Sequence, residues 1–156
     1  MGIGMLRGAT VISLDNKGRF AIPKRYRAEI LNHCDGLFVC TIDHQFSCLL
    51  LYPINEWVHI EAKLATLSSL HPAERRIQRL LLGHASECDM DGQGRILLPA
   101  TLRQYAYLQD KIMLVGQLNK FEIWSESLWQ QQIEHDINLQ AEDAIAQSSR
   151  LSELSL

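Results

Sequence analysis

The chain has 156 residues, of which 47% are apolar and 21% are charged, a composition that excludes wholesale disorder. Its longest apolar runs are far shorter than the roughly 20 residues of a membrane helix, and its first residues are too weakly apolar for a secretory signal. The formal net charge is −3, but residues 1–30 carry six basic and two acidic side chains, whereas residues 120–156 carry two basic and seven acidic ones. We therefore expect a soluble, cytoplasmic protein with a charged partner at its basic end.

Two short strands and a turn come first in chain order. Residues 10–14 and 19–22 favour strands because they are rich in β-branched and aromatic side chains. The segment 15–18 between them favours a tight hairpin turn, since Asp and Asn bond locally to the backbone and Gly18 supplies the positive φ that the turn requires. The sequence thus predicts a β-hairpin near the start of the chain.

A helix and two further strands follow this hairpin. Pro23 fits the start of a helix, because its fixed φ suits the first turn and its missing N–H costs nothing there. Residues 37–41 and 48–52 then favour two strands. The solvent side of the helix is predicted to carry three bases: Lys24, Arg25 and Arg27.

Two more helices are indicated before the middle of the chain. Asn55 can cap a helix whose apolar face includes Trp57 and Leu64. Pro72 can open the next helix, and Gly83 can end it.

The chain also contains an internal repeat. Segment 9–27 matches segment 85–103 at an offset of 76 positions, with six identical residues among nineteen. Both contain the motif D-x-x-x-R with a Gly before the Arg, followed by Pro and a second Arg. A repeat of this kind indicates two copies of one supersecondary unit. The predicted organisation is a first repeat at 5–67, a connecting helix at 68–81, a second repeat at 82–139 and an acidic polar tail at 140–156.

Metal binding and catalysis have little support in the sequence. The four cysteines contain no C-x-x-C pair, and the six histidines are scattered without the spacing of a zinc site. Without an export signal, the cysteines are expected to be reduced thiols. The motifs G-x-S-x-G and H-E-x-x-H and the Walker loop are all missing from the sequence. We expect no metal, no cofactor, no small-molecule substrate and no enzymatic activity.

The repeated D-x-x-x-R turns are the candidate functional elements. Asp15 and Arg19 can pair across the first turn, and Asp91 and Arg95 across the second. Exposed ion pairs contribute only about 0–1 kcal/mol, so stiffening of the hairpin poorly explains why the motif occurs twice. An Arg oriented by an Asp presents a planar set of donors that suits a phosphate or the edge of a guanine.

The first copy is richer in bases than the second. Three basic positions of the first copy are uncharged in the second, so the first copy is expected to supply more of the attraction to an anion. The replaced pairs are Lys17 and Gln93, Lys24 and Ala100, and Arg25 and Thr101.

Several segments resemble the MraZ family of bacterial transcriptional regulators. They are the opening 5–9, the turns 15–19 and 91–95, and the run 74–85 with the sequence ERRIQRLLLGHA. The resemblance covers nearly the whole chain from Met5, and residues 1–4 precede the usual start of the family. Gln93 departs from the basic residue that the family has at that position.

This resemblance implies a mixed, β-rich fold of two tandem, pseudo-symmetric AbrB-like swapped-hairpin units, which form a small β pseudobarrel flanked by α-helices. It also implies a ring-like homo-oligomer in the cytoplasm, associated with the nucleoid. The partner would be double-stranded promoter DNA, with binding to repeated boxes upstream of the division and cell-wall gene cluster. The candidate DNA-binding residues are Asp15, Lys17, Gly18, Arg19, Lys24, Arg25, Arg27, Asp91, Gly94, Arg95 and Arg103.

Two other interpretations are compatible with these residues. An AbrB-fold antitoxin would bind DNA and cover a toxin with its tail, although the tail here is short and acidic with few aromatic residues. A purely oligomeric scaffold would use the D-x-x-x-R turns as contacts between subunits.

Overall fold

The computed structural model of the chain describes residues 6–140, 143 and 146–154. Residues 1–5, which include the first residue of the predicted first repeat, and positions 141, 142, 144, 145, 155 and 156 of the predicted tail lie outside this part. Among the described residues, no helix is long and apolar enough to cross a membrane. The strands are β1 (Ala9–Ser13), β2 (Arg19–Ala21), β3 (Phe38–Ile42), β4 (Leu49–Pro53), β5 (Ser86–Glu87), β6 (Arg95–Leu97), β7 (Lys111–Gly116) and β8 (Phe121–Ser125).

The chain divides into two compact units after Glu126. The first unit holds all the strands named above and four helices, and the second holds nearly all of α5 together with the short α6. The helices are α1 (Lys24–Cys34), α2 (Ile54–Ala65), α3 (Pro72–Gly83), α4 (Ala100–Tyr105), α5 (Glu126–Asn138) and α6 (Ser149–Glu153).

Six strands form one antiparallel sheet in the order β1-β7-β8-β4-β3-β5, and β2 pairs with β6 in a separate two-stranded ribbon. The mixed fold of strands and helices is therefore confirmed. The six-stranded sheet does not close into a barrel, because β1 and β5 stand at opposite edges and do not pair with each other. The ribbon strands pair with each other and not with those edges.

The two repeats exchange their first strands. Strand β1 of the first repeat pairs with β7 of the second, and β5 of the second repeat pairs with β3 of the first. The turn at 15–18 forms as predicted, but the local hairpin is wrong, since the strands on either side of the turn pair with the other repeat. Pairing across the repeats sets Phe20 opposite Ile96, and both side chains are buried. Their burial stabilises the exchanged arrangement.

The sheet carries apolar side chains on both faces at β3 and β4, so neither strand alternates between buried and exposed positions. One face belongs to the main core, which includes the buried apolar residues of the ribbon, α1 and α4. The other face carries a smaller cluster of Val39, Leu50 and Tyr52, which Trp57 of α2 covers. All four cysteines are free and buried.

The predicted helix starts at Pro23 and Pro72 are confirmed. Pro23 stands just before α1, and Pro72 is the first residue of α3. The prediction that Asn55 caps α2 is wrong. Pro53 ends β4 and occupies the cap position with φ −53°, so the helix begins one residue before Asn55. The amide of Asn55 instead donates to the carbonyl oxygen of His33.

The ribbon offers a test of how much its inner face contributes to stability. Phe20 is 2% exposed, whereas Leu97 on the outer face is 54% exposed. We expect Phe20→Ala to lower the free energy of unfolding by about 3–5 kcal/mol, because it leaves a cavity in the core, and Leu97→Ala to change it by less than about 0.5 kcal/mol. Urea denaturation of both variants measures the difference, and equal losses would contradict the assignment of inner and outer faces.

Candidate nucleic-acid interface

The first D-x-x-x-R turn closes through its own backbone and through one carboxylate. The Asp15 amide donates to the Arg19 carbonyl at 2.8 Å, and the Gly18 amide donates to the Asp15 carbonyl at 3.0 Å. Oδ1 of Asp15 accepts the amides of Lys17 at 2.9 Å and Arg19 at 2.8 Å. Its Oδ2 accepts Nε of Arg19 at 2.8 Å. A single carboxylate thus fixes both the shape of the turn and the direction of the guanidinium.

The second turn repeats this geometry. Oδ1 of Asp91 accepts the amides of Gln93 and Arg95 at 2.9 and 2.8 Å, and Oδ2 accepts Nε of Arg95 at 2.9 Å. The Gly94 amide donates to the Asp91 carbonyl at 3.0 Å. The residue at position 93 takes part only through its backbone amide, so having Gln there in place of a base leaves the shape of the turn intact.

Each guanidinium keeps donors for a ligand. Within the described part of the chain, Asp15 and Asp91 engage only the Nε atoms of Arg19 and Arg95, and the terminal nitrogens of both arginines make no hydrogen bond there. The side chains of the two arginines are 29% and 35% exposed. Terminal guanidinium nitrogens in this setting are suited to planar acceptors such as phosphate oxygens or the N7 and O6 of guanine.

The ribbon places both arginines on one face. In its register, Arg19 lies opposite Leu97, and Arg95 lies opposite Ala21. These four residues alternate with Phe20 and Ile96, which point into the core, and therefore all four face outward. Arg19 and Arg95 are diagonal neighbours, a relation that places residues about 7–8 Å apart.

The backbone of each turn keeps its carboxylate ionised. The amide of Arg19, followed by its side chain and the amide of Lys17, lowers the pKa of Asp15 from 3.8 to about 2 despite an opposing effect of desolvation. The amide and side chain of Arg95 lower the pKa of Asp91 in the same way. Both carboxylates are therefore ionised throughout the physiological pH range.

Two further arginines lie against the turns, and each comes from the other repeat. Nε of Arg103, on α4, donates to the Leu98 carbonyl at 3.0 Å, and the side chain lies against Gly18. A Cβ on Gly18 would be 2.6 Å from that Nε. Arg27, on α1, donates from Nε to the Ile22 carbonyl at 2.8 Å and lies against the glycine of the second turn. The prediction that Arg27 lies on the solvent side of its helix is wrong, because this contact leaves it half-buried.

The remaining predicted bases are placed differently from one another. Lys17 is exposed and lines an open cavity of about 550 Å³ together with Pro99 and Arg103. Lys24 is exposed at the start of α1. Arg25 is held by the protein, since its Nη2 donates to the hydroxyls of Thr10 at 2.7 Å and Tyr26 at 2.9 Å, and its Cζ lies 4.6 Å from the centre of the Tyr26 ring.

The exchange of strands redistributes these charges. The Ile22 amide, just before α1, donates to the Gly94 carbonyl at 2.8 Å, and the Leu98 amide, just before α4, donates to the Gly18 carbonyl at 2.9 Å. The basic start of α1 therefore lies beside the second turn, and α4 lies beside the first. The greater number of bases in the first copy was predicted from the sequence, but their division between the two turns was not. The swapped hairpin implied by the resemblance is the sequence signal for this arrangement.

Comparisons with known proteins agree with this architecture. The family model described as "MraZ protein, putative antitoxin-like" matches residues 5–80 and again residues 81–151. The chain belongs to the MraZ family. Three relatives named "Transcriptional regulator MraZ", from Histophilus somni (strain 129Pt), Idiomarina loihiensis and Yersinia pseudotuberculosis serotype O:1b, are 59%, 56% and 57% identical. Each match covers 97% of this chain and 100% of the relative.

Membership of the MraZ family makes the chain a transcriptional regulator and not an enzyme, as predicted. The described residues contain no group of three or more His, Cys, Asp or Glu side chains that could hold a metal ion.

The two glycines of the second D-x-x-x-R turn give a matched pair for testing its geometry. Gly94 has φ +78°, and a Cβ there would lie 2.4 Å from Nε of Arg27, whereas a Cβ on Gly92 would meet nothing within 4 Å. We expect Gly94→Ala to lower the free energy of unfolding by about 1–2 kcal/mol because of left-handed strain, and Gly92→Ala to change it by less than about 0.5 kcal/mol. Urea denaturation measures both, and a loss confined to Gly92→Ala would contradict this geometry.

The cause of the low Asp15 pKa can be tested separately. Because the backbone amide of residue 19 is the largest contributor, we expect Arg19→Ala to raise this pKa only in part, so that it stays below 3.8. The folded-state pKa lies below the unfolded value of about 3.9, so this carboxylate contributes to stability above about pH 4, and the contribution is lost as the pH falls through about 2. Titration of the carboxyl carbon by NMR gives the pKa, and a variant pKa at or above 3.8 would mean that the guanidinium dominates.

Proposed function

We propose that this MraZ protein regulates transcription by binding promoter DNA in a sequence-specific manner with the outer face of the β2–β6 ribbon. The observation that carries the proposal is the pair of arginines, Arg19 and Arg95, held by Asp15 and Asp91 on one face of a two-stranded ribbon. The major groove of B-DNA admits a two-stranded ribbon, and an arginine whose terminal nitrogens are available can donate to O6 and N7 of a guanine.

Phosphate contacts complete the proposed interface. Lys17 and Lys24 are exposed and flank the two turns, and their charges suit the phosphates on either side of a groove. The two carboxylates do not repel the duplex as free acids would, because each is paired with an arginine of its own turn. Each lysine that neutralises a phosphate adds to the salt dependence of binding.

We further propose that the chain acts as a ring-like homo-oligomer on repeated promoter boxes upstream of the division and cell-wall gene cluster, in the cytoplasm and at the nucleoid. The family resemblance supports this assignment, and the charge of the chain gives it a physical reason. With a net charge of −3, one ribbon face makes few phosphate contacts. Several faces on one assembly would gain about 10²–10⁴-fold in affinity on repeated boxes through effective concentration.

Substitution of Arg19 tests the proposal. We expect Arg19→Ala to weaken binding to a duplex from upstream of the protein's own operon by about 5- to 150-fold, since a bidentate contact to a base is worth about 1–3 kcal/mol. The matched control is Lys63→Ala, which removes one positive charge from an exposed position on α2 and should change affinity by less than about twofold. Fluorescence anisotropy with native and scrambled duplexes, at several salt concentrations, measures both variants.

The size of the assembly, measured by light scattering for the same variants, separates this function from the alternatives. The DNA-binding function requires that Arg19→Ala leave the assembly unchanged while affinity falls. Dissociation of the assembly in Arg19→Ala, with equally weak binding of the wild type to native and scrambled DNA, would instead support an oligomeric scaffold. Co-purification of a small toxin with the wild-type chain would favour an antitoxin.

A further inference from the structure

Each turn of the proposed DNA-binding face is in contact with an arginine from the other repeat. The guanidinium of Arg103 lies against Gly18, and a Cβ on that glycine would be 2.6 Å from Nε, 2.7 Å from Cζ and 3.1 Å from Cδ of Arg103. Arg27 lies against Gly94 in the same way, at 2.4, 2.6 and 3.0 Å from the equivalent atoms. These contacts are possible only because both glycines lack a side chain.

Hydrogen bonds close each contact into a small cycle. Leu98 donates its amide to the Gly18 carbonyl at 2.9 Å and accepts Nε of Arg103 on its own carbonyl at 3.0 Å. Ile22 does the same with Gly94 and Arg27, at 2.8 Å for both bonds. Each cycle therefore joins three parts: a turn, the residue two positions before a helix, and the arginine of that helix. The turn belongs to one repeat, and the other two parts belong to the opposite repeat.

The contacted glycines stand immediately before the arginines that face DNA in the proposed function. Gly18 precedes Arg19, and both belong to the turn that Asp15 closes. A shift of Gly18 therefore moves the backbone amide that Asp15 accepts, and with it the direction of the Arg19 side chain. The neighbouring arginine can thus act on DNA binding without touching DNA.

The chemistry of the contact suits arginine and not lysine. A guanidinium is planar and can lie flat on a glycine while its Nε donates sideways to a carbonyl. A lysine ammonium carries the same charge but has neither the flat surface nor a donor at that position along its stem. Charge alone would be kept by lysine, whereas this packing would be lost.

We propose that Arg103 and Arg27 are positioning residues that act across the repeats: Arg103 of the second repeat holds the first turn in its DNA-binding shape, and Arg27 of the first repeat holds the second. This rests on the proposed function, and it changes the role expected for the two residues from contact with DNA to support of the arginines that make the contact. Each half of the DNA-binding face is then built from both repeats.

Hydrogen exchange of the full-length protein, followed by mass spectrometry, tests the crossed support directly. We expect Arg103→Ala to speed amide exchange in peptides covering 15–19 by about tenfold, through loss of local protection, and to leave those covering 91–95 within about twofold. Arg27→Ala should give the reverse pattern. Arg103→Lys should behave like Arg103→Ala, and Gly18→Ala, which disrupts the same contact from the other side, provides a second variant should Arg103→Ala fail to fold.

DNA affinity in two backgrounds tests the consequence for binding. The measurements use the native upstream duplex at low salt, where the affinity of weakened variants stays measurable. In the Arg95→Ala background, binding depends on the first turn. We expect Arg103→Ala to weaken binding about fivefold or more in that background. In the Arg19→Ala background the same change should cost less than about twofold, because the arginine that Arg103 supports is already gone. Arg27→Ala should show the opposite dependence on background.

The outcomes distinguish this proposal from the proposed function. Faster exchange in the turn of the variant's own repeat, or in both turns equally, overturns the crossed support. Equal losses of affinity in both backgrounds, restored by Arg103→Lys, mean that Arg103 contacts phosphate and overturn its positioning role. If the wild type does not prefer native over scrambled DNA, the proposed function fails, while the exchange pattern still decides whether each repeat holds the other's turn.

Discussion

Three residues of β2 pair with three residues of β6, and this short ribbon joins the two repeats beside the strand pairs that they share in the large sheet. Its inner side chains, Phe20 and Ile96, are part of the core, so the ribbon cannot rotate without exposing them. Its outer side is consequently fixed, and it carries the arginines of both turns. The exchange of β1 and β5 between the repeats follows the same pseudo-symmetry, so the large sheet and the ribbon both depend on the repeats remaining interlocked.

In this arrangement, the carboxylate of each turn both shapes the turn and orients an arginine. Asp15 accepts three hydrogen bonds within its own turn, which lowers its pKa and makes it a structural anion that orients a cation. Arg19 donates only its Nε to that carboxylate, so its terminal nitrogens can donate to a ligand. An acidic chain can in this way present donors to an anionic partner on one face, because Asp15 and Asp91 are each paired with an arginine of their own turn.

Local features of this fold were predictable from the sequence, and long-range ones were not. Turns with Gly18 and helices opened by Pro23 and Pro72 depend on φ preferences within a few residues, which the sequence states directly. A local hairpin and an exchanged one are written with the same strand and turn residues, so the local sequence pattern does not distinguish them. Arg27 was misplaced for that reason: its neighbour is a turn 67 residues further along the chain. The paired Asp and Arg residues were identified, but not the arginines of the opposite repeat that lie against their turns.

The connection of the two exchanged repeats into one polypeptide has a consequence for symmetry. Two separate copies of a single repeat would form an isologous dimer with identical halves, and their association would depend on concentration. A covalent link makes the association intramolecular, with an effective concentration in the millimolar range for a short linker. It also frees the halves to differ, as Lys17 and Gln93 do on the turns and Ala21 and Leu97 do on the ribbon. Tethering thus gives a nearly twofold surface two distinguishable ends.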